Sequence, residues 1–193
     1  IFRYSKGQDC YFDVDAVRLP YSEASAERLR HQANVFRKNK IYRDYRPHHL
    51  GKHPEDWWPL QPIMPSEKQE RSIGYYPTQK PVELLQRIID SSCPPGGLVL
   101  DLFCGSGTSL VVAEGLRVQR DHRERKKLVL SPVTRRWIGC DRSAWAIHTA
   151  KKRLLELGPR APFALYQGGA KERTLWLQHT FTRTTAAPKK DHE

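Results

Sequence analysis

The sequence contains few cysteines, and none of them lie close together. The four are Cys10, Cys93, Cys104 and Cys140. Without a Cys-x-x-Cys pair, a zinc site or a disulfide framework is disfavoured, and a reducing, cytoplasmic location fits the cysteine usage. The histidines at 48, 49 and 53 have no cysteine or carboxylate that completes a familiar ligand set, which disfavours a metal site.

Long hydrophobic runs are absent as well. No apolar stretch approaches the ~20 residues that a membrane-spanning helix needs, and no charged-then-apolar signal segment occurs. At 193 residues, with 38% apolar and 28% charged side chains, the chain is expected to form one soluble domain with a substantial core. Because the first residue is Ile1 rather than Met, we expect a fragment of a longer protein.

The net charge of +12 is unevenly distributed along the chain. Residues 117–136 hold eight basic and two acidic side chains, a net +6, whereas residues 71–116 hold three basic and four acidic ones, a net −1. Such a local basic excess predicts binding to a polyanion, with a solvated surface as the simpler alternative.

The most informative stretch is a predicted strand, turn and helix in the middle of the chain. Residues 98–100 form an apolar run after a Pro-Pro-Gly-Gly turn, which is typical of a buried strand in a parallel sheet. Asp101 follows where this strand ends, Gly105 and Gly107 allow a sharp turn, and 108–115 are predicted to be helical. Open α/β sheets bind ligands at this edge, so the pattern predicts a nucleotide-type site.

Two common nucleotide-binding motifs are absent from this stretch. The dinucleotide fingerprint needs a third glycine where Leu110 stands, and no Gly-Lys-Ser/Thr follows as a P-loop requires. Instead, Asp-Leu-Phe-Cys-Gly-Ser-Gly-Thr at 101–108 resembles the S-adenosylmethionine-binding motif of amino-group DNA methyltransferases, with Leu102 in place of the usual proline. Tyr-Pro-Thr-Gln-Lys-Pro at 76–81 and Trp-Ile-Gly-Cys-Asp at 137–141 resemble two further motifs of that family, in the family's order.

The resemblance is to N6-adenine/N4-cytosine methyltransferases, in the subgroup that places its catalytic motif before the cofactor motifs. It implies an α/β fold with a Rossmann-like methyltransferase sheet, of which this chain is the cofactor-binding half with an irregular N-terminal region. The implied cofactor is S-adenosylmethionine. The implied cofactor-binding residues are Thr78, Gln79, Lys80, Asp101, Phe103, Gly105, Ser106, Gly107, Thr108 and Asp141.

The resemblance also implies individual roles for these residues. Asp141 stands at the tip of the second predicted strand, where a carboxylate accepts hydrogen bonds from ribose hydroxyls; it is equally suited to cap the next helix. Asp101 is expected to orient the glycine turn and to face the ammonium of the methionine moiety. Residues 78–80 are expected to line the methionine end. Phe103 is expected beside the cofactor, with packing in the core as the alternative.

The spacing between these motifs indicates an insertion. An acidic residue at the second strand typically lies ~20 residues past the glycines, but Gly105 and Asp141 are 36 apart. The basic segment 117–134 has 18 residues, and without it Gly105 and Asp141 would be 18 residues apart. We therefore expect this segment to loop out into solvent, far from the cofactor, and to make at most a weak auxiliary contact with phosphates.

The catalytic signature of the resembled family is missing from the chain. That signature is Asp, Asn or Ser followed by Pro-Pro and an aromatic residue, and it grips the target amine while the ring stacks on the flipped base. Only Ser-Cys-Pro-Pro-Gly at 92–96 comes near it, in a predicted helix–strand turn. We therefore assign no catalytic residue here, expect the motif upstream of Ile1, and expect the fragment to be inactive alone.

The predicted organisation has three parts. Residues 1–70 hold the end of the catalytic half and a target-recognition or linker region, 71–167 the cofactor-binding region, and 168–193 a flexible tail. Strands are predicted at 1–6, 98–103, 137–140 and 162–166, and helices at 24–38, 81–91, 108–116 and 144–157. The candidate DNA-binding residues, basic side chains interleaved with tyrosines, are Arg37, Lys38, Lys40, Tyr42, Arg43, Tyr45 and Arg46.

These features predict part of a site-specific DNA methyltransferase that acts on an exocyclic base amine, adenine N6 being preferred. The motifs are shared by cytosine-N4 enzymes, which are the first alternative. A methyltransferase for RNA or a small molecule is a second alternative, and a catalytically inactive nucleic-acid-binding fragment is a third. The implied partner is double-stranded DNA rather than a membrane, with a second copy of the chain or a restriction-modification protein as the protein partner.

Overall fold

The computed structural model describes residues 2–30, 36–37, 40–41, 47–64, 66–67, 70, 76–120, 125–158, 161–167 and 175–176. The chain divides into two compact units, Ile1–Leu157 and Gly158–Glu193. The helices are α1 (Glu23–Arg30), α2 (Val82–Ser92), α3 (Thr108–Ala113) and α4 (Ala144–Leu157), and a 3-10 helix covers Asp15–Val17. The strands are β1 (Phe36–Arg37), β2 (Lys40–Ile41), β3 (Leu98–Asp101), β4 (Leu116–Arg120), β5 (Lys126–Leu130), β6 (Arg136–Gly139), β7 (Leu165–Tyr166) and β8 (Leu175–Trp176).

The centre of the first unit is the parallel pair β3–β6. The two strands are in register from Leu98 opposite Arg136 to Asp101 opposite Gly139. Parallel strands need a crossover connection, and here it contains α3 and a β-hairpin. Helices α2, α3 and α4 alternate along the chain with these strands, so the fold is α/β, as predicted.

Helix α3 forms the middle of the core. All six of its residues are buried, and Val111, Val112 and Ala113 are almost completely shielded from solvent. A helix that is buried on every side must contact several elements, and α3 packs against α2, α4, β3 and β6. Full burial of one such valine contributes about 1.5–3 kcal/mol.

Helix α2 packs one apolar face against α3. It begins directly after Pro81, whose φ of −59° suits the residue that precedes a helix. Val82 and Ile89, at helical spacing, form a buried cluster with Val112, and Leu85 packs against this cluster. The helix predicted at 81–91 is confirmed to within one residue at each end.

The β3–β6 pair has two unlike faces because side chains alternate along a strand. Val99 and Trp137 are half-buried, and Val99 packs against the core cluster. Leu98, Leu100 and Ile138 lie on the other face and are 49%, 58% and 49% exposed. The predicted strand at 98–103 ends earlier, at Asp101, because the chain turns there.

Two predicted elements near the N-terminus are wrong. The strand predicted at 1–6 is not formed by its described residues, 2–6, which have no strand pairing with another described segment. The helix predicted at 24–38 stops short, because Phe36–Arg37 is a strand that pairs with Lys40–Ile41. Phe and Ile lie opposite each other in this pair, and aromatic and β-branched residues of this kind favour strands.

The segment predicted to be a solvated loop forms a hairpin instead. Strands β4 and β5 pair antiparallel from Leu116 opposite Leu130 to Arg120 opposite Lys126. Val118 and Leu128 pack against the core cluster of α2 and α3, and Arg117 is buried. The prediction failed because alternating apolar residues among the cations give the segment a face that can be buried.

Acidic and polar residues of α2 pair with the hairpin. Arg117 donates to Asp90 through two nitrogens, at 2.8 and 3.1 Å. The amide of Val118 donates to Gln86 at 2.8 Å, and Arg120 forms an ion pair with Glu83 at 2.7 Å. Residues 83, 86 and 90 lie on one helical face, so β4 runs along the length of α2.

The helix predicted at 108–116 ends earlier, at Ala113, because Leu116 begins β4. The other predicted elements agree with the structure. Helix α4 has the predicted bounds, and β6 and β7 lie within one to three residues of theirs. Strand β8 pairs with β7 and lies inside the stretch 168–193, whose other residues are outside the described ranges. The division of the chain at 70 and 167 remains a prediction.

The described residues contain neither a helix suited to crossing a membrane nor a cluster of metal ligands. No described helix combines the length and the apolar character that a membrane crossing requires. Within the same residues, no group of three or more His, Cys, Asp or Glu side chains is arranged to hold a metal ion. Among the histidines, the rings of His48 and His49 stack on each other with centroids 4.7 Å apart.

Candidate cofactor-binding site

The site lies where the two parallel strands end. Asp101 is the last residue of β3, and its neighbour in β6 is Gly139, two residues before Asp141. Backbone hydrogen bonds continue past the strands, from Cys140 N to Asp101 O at 2.8 Å and from Cys104 N to Cys140 O at 2.9 Å. The structure therefore brings the two predicted acidic residues to the same edge, as parallel register requires.

The carboxylate of Asp101 holds the start of the glycine turn. Its Oδ1 accepts a hydrogen bond from the amide of Phe103 at 3.0 Å. Its Oδ2 accepts one from the hydroxyl of Ser109, in the first turn of α3. Asp101 thus connects the strand end to both sides of the turn.

The carboxylate of Asp141 joins the second strand to the turn. Its Oδ2 accepts the amide hydrogen of Gly105 at 2.9 Å, although 36 residues separate them in the chain. Its Oδ1 accepts the amide hydrogen of Ser143 at 2.8 Å, just before α4. Each carboxylate oxygen has a second lone pair, so contacts to the start of α4 leave acceptor capacity for a ligand.

The two glycines of the turn have different surroundings. Both adopt positive φ angles, +52° at Gly105 and +74° at Gly107, which L side chains rarely adopt. A Cβ on Gly107 would lie 2.6 Å from the Cβ of Ala150, so this glycine permits close packing of α4. A Cβ on Gly105 would meet only the ring of Tyr76, at an ordinary 3.5 Å.

The upstream motif is attached to the turn through Thr108. The hydroxyl of Thr108 donates to the backbone carbonyl of Lys80 at 3.1 Å. The side chain of Gln79 donates to the backbone carbonyl of Glu70 at 2.5 Å, and the carboxylate of Glu70 accepts the amide hydrogen of Val82 at 2.5 Å. All three motifs singled out in the sequence therefore meet in one place.

Burial separates the predicted site residues into two groups. Ser106, Gly107 and Thr108 are buried and support the turn. The partly or largely exposed members are Thr78, Gln79, Lys80, Asp101, Phe103, Gly105 and Asp141. Phe103 is 88% exposed, so the alternative that it packs in the core is wrong.

The edge of the sheet holds two carboxylates, those of Asp101 and Asp141. Burial, together with the nearby charges of Asp101 and Asp141, raises the pKa of the Cys104 thiol to about 11. Cys104 therefore remains a neutral thiol at physiological pH, and it is not a nucleophile of the reactive kind. Two carboxylates beside each other in this way favour a cationic ligand group.

Sequence reasoning missed a buried arginine beneath the turn. Nη1 of Arg153 donates to the carbonyl and hydroxyl of Ser106, at 2.9 and 3.1 Å, and to the hydroxyl of Thr108 at 2.9 Å. Arg153 follows two lysines, and basic runs of this kind are typical of a solvated helix face. The sequence does contain one indication that Arg153 is buried. It lies three residues after Ala150, which is buried, and this spacing places both residues on one face of the helix.

The sequence patterns also assigned no role to Tyr76 and Trp145, two aromatic residues at the edge of the site. The rings of Tyr76 and Trp145 are tilted against each other with centroids 5.1 Å apart, and Trp145 is 51% exposed. Tyr76 belongs to the upstream motif, and Trp145 lies in the first turn of α4. They bring an aromatic surface next to Gly105.

Two of the seven candidate DNA-binding residues lie in the described part of the chain. Arg37 and Lys40 lie opposite each other in the β1–β2 pair. Five others fall outside the described residues: Lys38, Tyr42, Arg43, Tyr45 and Arg46.

Comparison with known protein families identifies the family of this chain. The N6/N4 family described as DNA methylase matches residues 1–152, more than three quarters of the chain. The chain belongs to this DNA methylase family. The match includes the upstream motif, the glycine turn and Asp141, which the structure brings together.

Several Type II methyltransferases are similar to this chain. M1.MboII of Moraxella bovis is 30% identical over 154 residues, which are 78% of this chain and 51% of that protein. M2.LlaDCHI of Lactococcus lactis subsp. cremoris is 31% identical over 144 residues, or 75% and 44% of the two chains. M2.DpnII of Streptococcus pneumoniae is 39% identical over 89 residues, or 46% and 27%. The chain spans at most about half the length of these relatives.

Proposed function

We propose that this chain binds S-adenosylmethionine at the β3–β6 edge, as the cofactor-binding part of a site-specific DNA methyltransferase. The observation that carries the proposal is the hydrogen bond from Gly105 N to Asp141, which joins the glycine turn after one strand to the acidic residue after its parallel neighbour. This arrangement presents a carboxylate beside a glycine turn at the ligand-binding edge of the sheet.

The residues at this edge suit the chemical groups of the cofactor. Asp141 retains acceptor positions that fit ribose hydroxyls. Asp101, whose charge helps to raise the pKa of Cys104, suits the ammonium and the sulfonium, which are both cationic. Thr78 and Lys80 are exposed at the end of the upstream motif, where they can contact the methionine moiety.

When bound, the cofactor supplies an electrophilic methyl group for transfer to an amine. The chain's own residues bind and orient the cofactor for this step. Ser106, Gly107 and Thr108 are buried and fix the shape of the turn, whereas Asp101 and Asp141 remain partly exposed and available. Preorganised contacts of this kind reduce the loss of freedom on binding.

Calorimetric titration of the chain with S-adenosylmethionine tests this proposal, with ATP and NAD as competing nucleotide types. We expect binding of S-adenosylmethionine only. Asp141→Ala should weaken binding by about 1–3 kcal/mol, because hydrogen bonds from the ribose hydroxyls to a charged acceptor are lost. Asp9→Ala removes an exposed carboxylate near the start of the sequence, far from Asp141 along the chain, and is the matched control for net charge. Equal affinity of wild type and Asp141→Ala would assign the acidic role to another residue.

We propose double-stranded DNA as the substrate and adenine N6 as the accepting amine. The Type II relatives support DNA, and the stretch Arg-Ser-Ile-Gly-Tyr-Tyr-Pro-Thr-Gln-Lys-Pro at 71–81 resembles members described as adenine enzymes. The chain contains no Asp/Asn/Ser-Pro-Pro-aromatic motif, and its nearest stretch, 92–96, is the turn between α2 and β3. We therefore expect cofactor binding without methyl transfer by the chain alone.

Incubation with methyl-labelled cofactor and mixed-sequence DNA checks these two statements. No label should enter the DNA. Incorporation would overturn the assignment of an inactive chain, and the modified base would then decide between N6-methyladenine and N4-methylcytosine. The same labelling assay tests the proposed protein partners. Repeating it at higher concentrations of the chain tests association with a second copy, and repeating it with a restriction-modification protein added tests that partner.

A further inference from the structure

Arg153 is a buried cation with an unusual set of partners. The residue is 9% exposed and lies on α4, 12 residues after Asp141. One of its nitrogens donates to three oxygens of the glycine turn, in Ser106 and Thr108. Removing a guanidinium from water is costly, so a buried arginine needs compensating hydrogen bonds and charge.

Part of the compensating charge comes from the upstream side of the site. Burial lowers the pKa of Arg153 to about 10, against the opposing charges of Glu70 and of Glu156 on α4, so Arg153 stays a cation at neutral pH. The carboxylate of Glu70 accepts the amide hydrogen of Val82 at the start of α2. Arg153 is therefore linked to α2 by charge and to the glycine turn by hydrogen bonds.

A relay of hydrogen bonds continues from the arginine to the upstream motif. Thr108 Oγ1 accepts from Arg153 at 2.9 Å and donates its own hydrogen to the carbonyl of Lys80 at 3.1 Å. A hydroxyl has one hydrogen and two acceptor positions. The arginine occupies one of these positions, and the hydroxyl of Ser106, at the longer distance of 3.4 Å, can donate to the other. This arrangement directs the hydrogen of Thr108 toward Lys80 and thereby sets the distance between the two segments.

We propose that Arg153 is a positioning residue of the cofactor site, which acts through Thr108 to hold the 78–80 segment against the glycine turn. It is too deeply buried to touch the ligand itself. This inference rests on the proposed binding of S-adenosylmethionine, and it adds a residue that lies outside the three sequence motifs. The affinity for the cofactor should then depend on a side chain that makes no contact with it.

The experiment compares five single variants and one double variant of the full chain by calorimetry with S-adenosylmethionine. Arg153→Met removes the donor, and Arg153→Lys keeps a cation with hydrogen-bond donors. Thr108→Val removes the hydroxyl with little change in shape, and Thr108→Ser restores it. Lys152→Met, an exposed neighbour on α4, is the matched control. Urea unfolding of each variant without ligand defines conditions in which it is folded.

We expect Arg153→Met and Thr108→Val each to bind about tenfold to a hundredfold more weakly while folded, since a hydrogen bond to a charged group is lost. Thr108→Ser should bind as wild type does, Arg153→Lys should recover part of the loss, and Lys152→Met should show none. The double variant Arg153→Met/Thr108→Val should lose little more than either single one, because both interrupt the same relay.

Other outcomes overturn the inference in distinct ways. If folded Arg153→Met and Thr108→Val bind as tightly as wild type and differ only in unfolding, Arg153 is a structural residue alone. If the Arg153 variants do not fold, the Thr108 pair decides by the same criterion. If the wild type itself does not bind S-adenosylmethionine, the proposed function fails before the positioning role is reached.

Discussion

Asp90 should contribute more to stability than any other acidic residue of α2. Its carboxylate lies between two buried guanidinium groups, Arg117 at 2.8 Å and Arg135 at 3.0 Å, whose side chains are 8% and 3% exposed. Burial lowers the pKa of Arg117, and the charge of Asp90 opposes this shift. Removing Asp90 would leave two buried cations without their counter-charge.

The magnitude follows from this geometry. Removing one partner of a buried ion pair costs about 3–5 kcal/mol. The side chain of Asp90 keeps 22% of its surface exposed, so the lower end of the range applies, and we expect Asp90→Ala to cost about 3 kcal/mol. For a unit of this size, that loss lowers the melting temperature by about 6–12 °C. Arg117→Met should cost less, since Asp90 would keep Arg135 as its partner.

Urea unfolding, followed by tryptophan fluorescence, measures these differences. The control is Glu83→Gln, which breaks the more exposed pair with Arg120 on the same face of α2. Pairs of that type contribute about 0–1 kcal/mol. An Asp90→Ala variant no less stable than Glu83→Gln would refute the reasoning and show that water or chain relaxation satisfies both arginines.

Three further outcomes are expected. Gly107→Ala should cost about 3 kcal/mol in urea unfolding, because left-handed strain adds to the clash with Ala150, whereas Gly96→Ala, with φ +72° and open space, should cost only about 1–2 kcal/mol. Burial raises the pKa of Glu70 above its ordinary 4.5. The folded chain therefore keeps that proton to a higher pH than the unfolded chain does. As the pH rises from 4.5 through the pKa of the folded chain, the free energy of unfolding of the wild type should fall relative to that of Glu70→Gln. Replacing 117–134 by a short Gly-Ser linker should lower the melting temperature markedly, and an unchanged value would mean that the hairpin is not part of the core.

The local patterns of the sequence were sufficient to predict much of the first unit. Apolar residues at helical spacing predicted α2 and α4, and the run at 98–100 predicted a strand. Gly105 and Asp141 were paired by counting residues, and the structure connects them through one hydrogen bond. Each of these features depends on neighbours in the chain or on a topology that few folds share.

The buried arginines could not be predicted in the same way. Arg117 is buried because Asp90, 27 residues away, accepts its hydrogen bonds, and Arg153 because Ser106, 47 residues away, does so. Local composition assigns both to solvated basic runs. Burial of a charge depends on partners that only the tertiary fold supplies, and this is why the basic segment was assigned to a loop.

The exposed face of the β3–β6 pair affects the tendency of this chain to associate in solution. Leu98, Leu100 and Ile138 form a small apolar surface next to strands that, among the described residues, are paired on one side only. Open strand edges and apolar surface both favour contacts between molecules. Apolar attraction strengthens on warming, whereas the net charge of +12 repels at long range and is screened by salt. The colloidal stability of the chain is therefore greatest in cold, dilute buffers of low ionic strength.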